Sequence, residues 1–143
     1  MLFLSLLSGR NPEYLIEQQI KAVPFLKNSN LEIIPTGYIL IDGGTNSSVL
    51  KVSKTTPIPQ NNIDLAISTS VAGMYKGKQL IYLEAGSGAK NSVNSAMIRE
   101  VKNQLNIPLI VGGGIRTKEQ LKNVYNCGAD LAVIGTAFEN NEI

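Results

Sequence analysis

A tyrosine and a glutamate two residues apart, followed at once by Gly-Ser-Gly, are the residues best suited to chemistry in this sequence. They belong to the run Tyr82-Leu-Glu-Ala-Gly-Ser-Gly-Ala89. Residues 80–84 are predicted to form a strand, in which residues two apart face the same side, so Tyr82 and Glu84 should project together. A carboxylate in such a place is costly to desolvate unless it serves a ligand or a cation. The plainer alternative is a structural glutamate paired with a basic residue.

Two later turns place glycine between a predicted strand and a predicted helix. They are Val111-Gly-Gly-Gly-Ile-Arg116 and Ile134-Gly-Thr-Ala137. Glycine lets the backbone approach a ligand closely, and the N–H groups at a helix N-terminus attract anions. One such turn alone would indicate only a tight bend. Two in successive units, with the Thr136 hydroxyl available, predict a phosphate site, which identifies a class of ligand and not a reaction.

These turns must be positioned by the alternation of strands and helices that runs along the chain. Five strands are predicted within residues 2–7, 31–41, 80–84, 108–111 and 131–134. The first is a continuous apolar run and is expected to be buried on both faces. The polar segment from residue 45 to 60, with two prolines, is predicted to be a loop with at most one helical turn. Alternation of this kind implies parallel βαβ units.

The intervening helices are indicated by caps and by apolar spacing. Asn11-Pro12, Asn62 and the Thr117-x-x-Gln120 capping box each begin a predicted helix. Three apolar stripes are expected to be buried: Ile16, Ile20 and Val23; Ile63, Ile67, Val71 and Met74; and Val93, Met97, Val101 and Leu105.

The fold class expected is α/β, as the C-terminal five β/α units of a (β/α)8 TIM barrel. The turns at Gly112 and Gly135 are 23 residues apart (135 − 112), which fits eight units in about 250 residues. Residues 1–143 are thus interpreted as the C-terminal portion of a single phosphate-binding barrel domain, incomplete in this chain. The sequence begins in a strand and stops eight residues after Gly135, so the final helix of the barrel is expected to be missing from it. A complete five-stranded open sheet of flavodoxin type is the alternative.

Composition excludes several classes of function. A formal charge of +2 with scattered lysines and arginines does not indicate a nucleic-acid binder. The sequence has no histidine and a single cysteine, Cys127, which argues against Ser-His chemistry, a disulfide framework and the usual zinc sites. No apolar run approaches the roughly 20 residues that span a bilayer. A cytoplasmic protein that is not transmembrane is expected.

The strings YLEAGSGA, VGGGIR and VIGTAFE, after LSLLSGRNPEYLI and IIPTGYILIDGG, resemble the geranylgeranylglyceryl phosphate synthases and their bacterial heptaprenylglyceryl phosphate relatives. The resemblance covers nearly the whole chain, from the fourth strand of the family barrel to the eighth, and YLEAGSGA is its most selective part. It implies a prenyltransferase that joins sn-glycerol 1-phosphate to a polyprenyl diphosphate as an ether, releasing diphosphate with Mg²⁺ assistance. The complete enzyme is expected to be a homo-oligomer.

The resemblance also assigns roles to residues. Glu84 would accept the proton of the glycerol hydroxyl, and Tyr82 would orient that hydroxyl. Binding of sn-glycerol 1-phosphate would involve Tyr82, Leu83, Glu84, Ala85, Gly86, Ser87 and Gly88 for the glycerol part, and Gly113, Gly114, Gly135 and Thr136 for the phosphate. The acidic residue after the family's first strand, which binds magnesium, has no counterpart here, so no metal ligand is named and the chain alone is expected to be inactive.

Two other functions remain open from the sequence. The first is a phosphosugar isomerase or synthase on the same kind of barrel, against which the Tyr-x-Glu pair weighs. The second is a non-catalytic half-barrel that binds phosphate or associates with itself through exposed strand edges. Asp42 is interpreted as a solvated turn residue, and Arg116 as either a surface arginine or a phosphate contact.

Overall fold

A computed structural model describes residues 1–45 and 48–140 of the chain. Its sheet contains β1 (Leu2–Leu6), β2 (Ile34–Leu40), β3 (Leu80–Glu84), β4 (Leu109–Gly112) and β5 (Leu131–Val133). The strands pair in parallel and in sequential order, β1-β2-β3-β4-β5. The five predicted strands and their parallel pairing are therefore confirmed. A sheet of flavodoxin type would instead reverse its strand order at a switch point.

Helices connect the strands. They are α1 (Gln18–Leu26), which continues a π-helical turn at Glu13–Glu17, then α2 (Ser48–Ser53), α3 (Ile63–Tyr75), α4 (Ser95–Gln104), α5 (Lys118–Asn126) and α6 (Thr136–Glu139). The predicted caps are present, since Asn62 accepts from the Leu65 N–H at 3.2 Å and Thr117 forms a full capping box with Gln120. Asn11 accepts from the Glu13 N–H at 2.9 Å and so begins the first helical segment.

The one-turn helix α6 follows Gly135 directly, as the turn Ile134-Gly-Thr-Ala137 predicted. Four residues suffice because a single turn closes with bonds from the Phe138 and Glu139 N–H groups to the Gly135 carbonyl. The predicted helical turn within residues 45–60 is α2, and residues 46 and 47 of that segment lie outside the described residues.

The sheet has one face covered by helices and an opposite face that described helices border only beside β1, where Tyr14 and Val52 lie near Leu4. Helices α3, α4 and α5 pack against the covered face, and the core between them includes Ile39, Ile81, Leu83, Leu109, Val111, Ala66, Met97, Val101 and Val124. The opposite face of the sheet is called the inner face here. On β1 it carries Leu2 and Leu4, which are 38% and 39% exposed. The prediction that the first strand is buried on both faces was therefore wrong, because these two side chains at the edge of the sheet stay more than a third exposed.

The stripe on α4 was predicted correctly, and the stripe on α3 was not. Met97 and Val101 of α4 are fully buried. On α3 the buried residues are Ala66, Thr69, Ser70 and Gly73, whereas the predicted set Ile63, Ile67, Val71 and Met74 is only half-buried. Small residues face the sheet because the helix comes so close that a Cβ at Gly73 would lie 2.5 Å from Leu7 Cδ1.

The predicted burial of the stripe on the first helical segment was also wrong. Ile16, Ile20 and Val23 are 49%, 58% and 44% exposed. Contacts of this segment run to β1, and no element within residues 1–45 and 48–140 covers its apolar side.

Candidate functional site

The glycine-rich turns meet at the carboxyl ends of β3, β4 and β5, where they enclose a cavity of about 140 Å³. Parallel strands direct all their carboxyl ends to one edge, which is where ligands bind in such sheets. Eight of the eleven predicted substrate-binding residues line it: Glu84, Gly86, Ser87, Gly88, Gly113, Gly114, Gly135 and Thr136. Residues distant in sequence are thus brought together as the turn positions predicted.

Glu84 ends β3 and is only 7% exposed. One carboxylate oxygen, Oε1, accepts a hydrogen bond of 2.7 Å from the Gly86 N–H. The hydroxyl of Tyr82 also bonds to the Glu84 side chain. Within residues 1–45 and 48–140, no lysine or arginine forms an ion pair with it. The carboxylate is therefore held by dipoles, and the alternative of a structural glutamate paired with a base is not what the structure has.

The absence of a side chain at Gly112 makes room for this pair. Gly112 stands opposite Glu84 in the β3–β4 register. A Cβ there would lie 2.6 Å from the Tyr82 hydroxyl and 2.7 Å from Glu84 Oε2. Any larger residue would push the two functional groups out of their arrangement. Gly112, the first glycine of the Gly-Gly-Gly turn, thus leaves the space that side chains of the neighbouring strand β3 occupy.

Tyr38 is a member of the site that the sequence analysis missed. It stands opposite Tyr82 in the β2–β3 register, and the two rings meet edge to face with centroids 5.1 Å apart and planes at 72°. Burial raises the pKa of both phenols, and the negative charge of Glu84 raises each further. Both hydroxyls are consequently protonated at neutral pH and available as donors. The available signal was a tyrosine within the predicted second strand.

The candidate phosphate site, called the cup here, includes Gly113, Gly114 and Gly135. In it, the backbone of the turn after β4 directly contacts the backbone of the loop after β3. Gly113 and Gly114 have φ values of 84° and 70°, which L side chains rarely adopt. A Cβ at Gly113 would lie 2.7 Å from the Gly86 nitrogen, and one at Gly114 would lie 2.7 Å from the Asn91 carbonyl. The turn after β4 therefore packs on the loop after β3, and these glycines are needed for that packing as well as for any ligand.

Gly135 is different, since a Cβ there would meet no protein atom within 4 Å. It lines the cavity just before α6, and no side chain caps that helix. The first N–H groups of α6 are therefore open toward the cavity. No atom of the described residues excludes a Cβ at this position, so the backbone here is accessible to a ligand that approaches it closely.

Arg116 contributes positive charge to the wall of the cavity. Its Nη1 lies 3.5 Å from the Lys90 carbonyl, to which it donates. The sequence left Arg116 open between a surface residue and a phosphate contact, and the structure places it beside the cup. The cavity thus combines the Glu84 carboxylate with an arginine and with glycine backbones.

Three predicted binding residues do not line the cavity. Leu83 and Ala85 are fully buried in the core on the covered face, so only their backbone atoms remain for a ligand. Tyr82 lies on the inner face beside Glu84, behind the cavity wall. Asp42 is exposed and accepts from the Gly44 N–H at 2.9 Å, which confirms the interpretation as a solvated turn residue.

Among residues 1–45 and 48–140, no cluster of three or more His, Cys, Asp or Glu side chains is present. In the same part of the chain, no helix has the length and apolar character needed to cross a membrane.

Fold and site together define a parallel β/α protein with a glycine-walled polar cavity at the carboxyl ends of its strands. The chain belongs to the PcrB family, which matches residues 1–143. A geranylgeranylglyceryl phosphate synthase of Zunongwangia profunda is 66% identical over 142 residues, 99% of this chain and 61% of that protein. One from Flavobacterium johnsoniae is 58% identical, covering 99% of this chain and 58% of that protein.

A solved structure is also similar to this chain. The crystal structure of (S)-3-O-geranylgeranylglyceryl phosphate synthase from Thermoplasma acidophilum, in complex with its substrate sn-glycerol-1-phosphate, superposes with a TM-score of 0.91 at 41% identity. It is matched over 96% of this chain and 55% of that one. The chain therefore spans somewhat more than half the length of these relatives.

Proposed function

We propose that the full-length protein carrying these residues is a prenyltransferase that joins sn-glycerol 1-phosphate to a polyprenyl diphosphate, forming an ether and releasing diphosphate. The observation that carries the proposal is the tyrosine-supported carboxylate, Glu84, at the edge of a cup built from Gly113, Gly114 and Gly135. A small phosphorylated alcohol fits about 140 Å³. Two relatives that are 66% and 58% identical to this chain are geranylgeranylglyceryl phosphate synthases.

Residues 1–143 are proposed to be the C-terminal five units of an eight-unit barrel. Three features support this: the sequential parallel order of the strands, the exposed leucines on the inner face of β1, and the greater length of the relatives. Leu131 and Val133 of the other edge strand are likewise 48% and 42% exposed on that face. Three further β/α units would cover both.

In the proposed reaction, the cup and Arg116 hold the phosphate, and the glycerol hydroxyl points toward Glu84. The bond between the prenyl carbon and diphosphate breaks while the hydroxyl oxygen bonds to that carbon. Glu84 accepts the hydroxyl proton as the bond forms. Tyr82 donates to Glu84 and orients it, without ionising itself.

The prenyl chain is proposed to enter an apolar cavity of about 370 Å³ at the inner face of β1. Leu4, Leu6, Tyr14, Tyr38, Val49 and Val52 are among its lining residues. Tyr38 links the two cavities, because it lines this one and its ring touches Tyr82. An apolar chain placed here would bring its reactive end toward the carboxylate.

Magnesium is proposed from the resemblance alone. The described residues provide no cluster of carboxylates for it, and Glu84 already accepts from Gly86 and Tyr82. No step is assigned to the ion, and its ligands are proposed to lie outside residues 1–45 and 48–140. A cytoplasmic homo-oligomer is proposed for the complete protein.

The function can be tested directly with the full-length protein. Labelled sn-glycerol 1-phosphate and geranylgeranyl diphosphate should give a labelled product that partitions into organic solvent, with release of one diphosphate per product. Turnover of a phosphosugar without any prenyl donor would favour the isomerase alternative. If neither the ether-forming reaction nor turnover of a phosphosugar is detected, the non-catalytic interpretation remains.

Replacing Gly135 by alanine should weaken binding of sn-glycerol 1-phosphate about tenfold while leaving the fold intact. The added methyl meets no atom of the described residues, and it would stand between the backbone and a ligand that lies against it. Calorimetry would give the affinity and thermal unfolding the stability. Equal affinities of the parent and the variant would show that Gly135 does not contact sn-glycerol 1-phosphate.

Replacing Leu4 by tryptophan should lower turnover of a 20-carbon prenyl donor about tenfold and spare a 10-carbon donor, because the ring would fill the apolar cavity. The control is Phe25→Trp on α1, which places the same ring at a side chain that is 81% exposed and does not line the cavity. Parallel losses for both donors, or for both variants, would contradict the assignment of this cavity to the prenyl chain.

A further inference from the structure

The loop between β3 and α4, which carries Gly86, Ser87 and Gly88, has few contacts of its own to fix it. Within the loop, the Ala89 N–H donates to the Gly86 carbonyl at 3.1 Å. Its position on the sheet therefore depends on bonds to its neighbours. Since this loop supplies part of the cavity wall, whatever fixes it also fixes the groups that would hold a substrate.

The main attachment is to the loop after β2. The N–H groups of Lys90 and Asn91 both donate to the Gly43 carbonyl, at 2.9 and 3.1 Å. Gly43 must be glycine for this contact, because a Cβ there would lie 2.2 Å from the Ala85 carbonyl oxygen.

The side chain of Gln60 ties the same two loops together. Its Nε2 donates to the Asp42 carbonyl at 2.8 Å and to the Ser92 carbonyl at 3.1 Å. Its Oε1 accepts from the Asn94 N–H at 2.8 Å. One amide thus bonds three backbone groups in two loops that are about 50 residues apart in sequence, and both of its N–H donors and its carbonyl are used.

We propose that Gln60 is a positioning residue for substrate binding: its clamp sets the β3–α4 loop against the Gly113–Gly114 turn, so that Gly86, Ser87 and Gly88 face the phosphorylated alcohol. This inference rests on the proposed function for the identity of the substrate. The clamp acts through the loop and contacts no reacting atom. A displacement of about 1 Å at such a wall is enough to cost on the order of 100-fold in rate.

The test compares Gln60→Ala with Asn62→Ala in the full-length protein. Asn62 is two residues away and caps α3 through Leu65, so its loss destabilises the same region without touching the loop. Gln60→Ala should raise KM for sn-glycerol 1-phosphate about tenfold or more and leave KM for the prenyl diphosphate unchanged. Asn62→Ala should lower Tm by a similar amount and leave both KM values near those of the parent. Gln60→Glu, which keeps only the bond from Asn94, should fall between.

Amide hydrogen exchange provides a readout that does not depend on the reaction. In Gln60→Ala, the Lys90 and Asn91 amides should exchange roughly tenfold faster than in Asn62→Ala, although Gln60 bonds neither of them. If the two variants exchange alike at these amides, the clamp is overturned whatever the enzyme does. If the exchange differs but the parent binds no glycerol phosphate, the clamp stands and the proposed function fails.

Discussion

Turnover is expected to fall about 10²–10⁴-fold when Glu84 is replaced by glutamine in the full-length protein. Glutamine has the same size and can still accept from the Gly86 N–H, but it cannot take the proton of the glycerol hydroxyl. The loss corresponds to about 3–5 kcal/mol of transition-state stabilisation. The measurement is the rate of ether formation with labelled glycerol phosphate and saturating prenyl diphosphate.

Affinity distinguishes a base from a binding residue. The Glu84→Gln variant should bind sn-glycerol 1-phosphate nearly as well as the parent, because the cup and Arg116 hold the phosphate. Tyr82→Phe serves as the matched comparison, since it removes one donor to the carboxylate and should cost much less in rate. Turnover of Glu84→Gln within about threefold of the parent would exclude it as the base. If the rate of ether formation and the affinity for sn-glycerol 1-phosphate are both lost, Glu84 is a binding or structural residue.

The second large effect is expected at Gly113, where alanine should abolish measurable binding of sn-glycerol 1-phosphate and turnover together. Its φ of 84° disfavours any L side chain. In addition, the new Cβ would lie 2.6 Å from Glu84 Oε1 and 2.7 Å from the Gly86 nitrogen. Both the turn and the loop would have to separate, which removes the cavity wall and displaces the carboxylate. Calorimetry and the ether-forming assay give the two quantities.

Gly77→Ala is the control for backbone strain. Gly77 follows α3 with a φ of 82°, and a Cβ there meets no atom within 4 Å. The Gly77→Ala variant should lose about as much stability as backbone strain costs at Gly113. It should still bind sn-glycerol 1-phosphate. If Gly113→Ala binds glycerol phosphate as well as Gly77→Ala does, contact between the two loops is not what forms the site.

The part of the site closest to the glycine turns was predictable because it is local. Glu84, Gly86 and Ser87 follow one short strand, and the alternation of side chains along that strand places Tyr82 beside Glu84. The order of the strands followed from the repeating pattern, since each βα unit adds the next parallel strand. None of this required knowledge of contacts between distant segments.

What the sequence did not show depends on contacts between segments. The buried side of α3 was misjudged because hydrophobicity favours Ile67 and Val71, whereas the close approach to the sheet requires Ala66, Ser70 and Gly73. Tyr38 and Gln60 were missed for the same kind of reason. Their roles arise from the β2–β3 register and from meetings of loops, neither of which leaves a local pattern.

The alternation along β3 has a consequence for how such a protein can change. Odd-numbered side chains, such as Ile81 and Leu83, belong to the core that stabilises the sheet. Even-numbered ones, Tyr82 and Glu84, face the opposite side, and on β2 the same parity separates Ile39 from Tyr38. A mutant library restricted to the even positions would therefore change the candidate site while the packing of Ile81 and Leu83 stayed constant. Loss of function and loss of folding could then be separated by comparing variants at alternate residues of one strand.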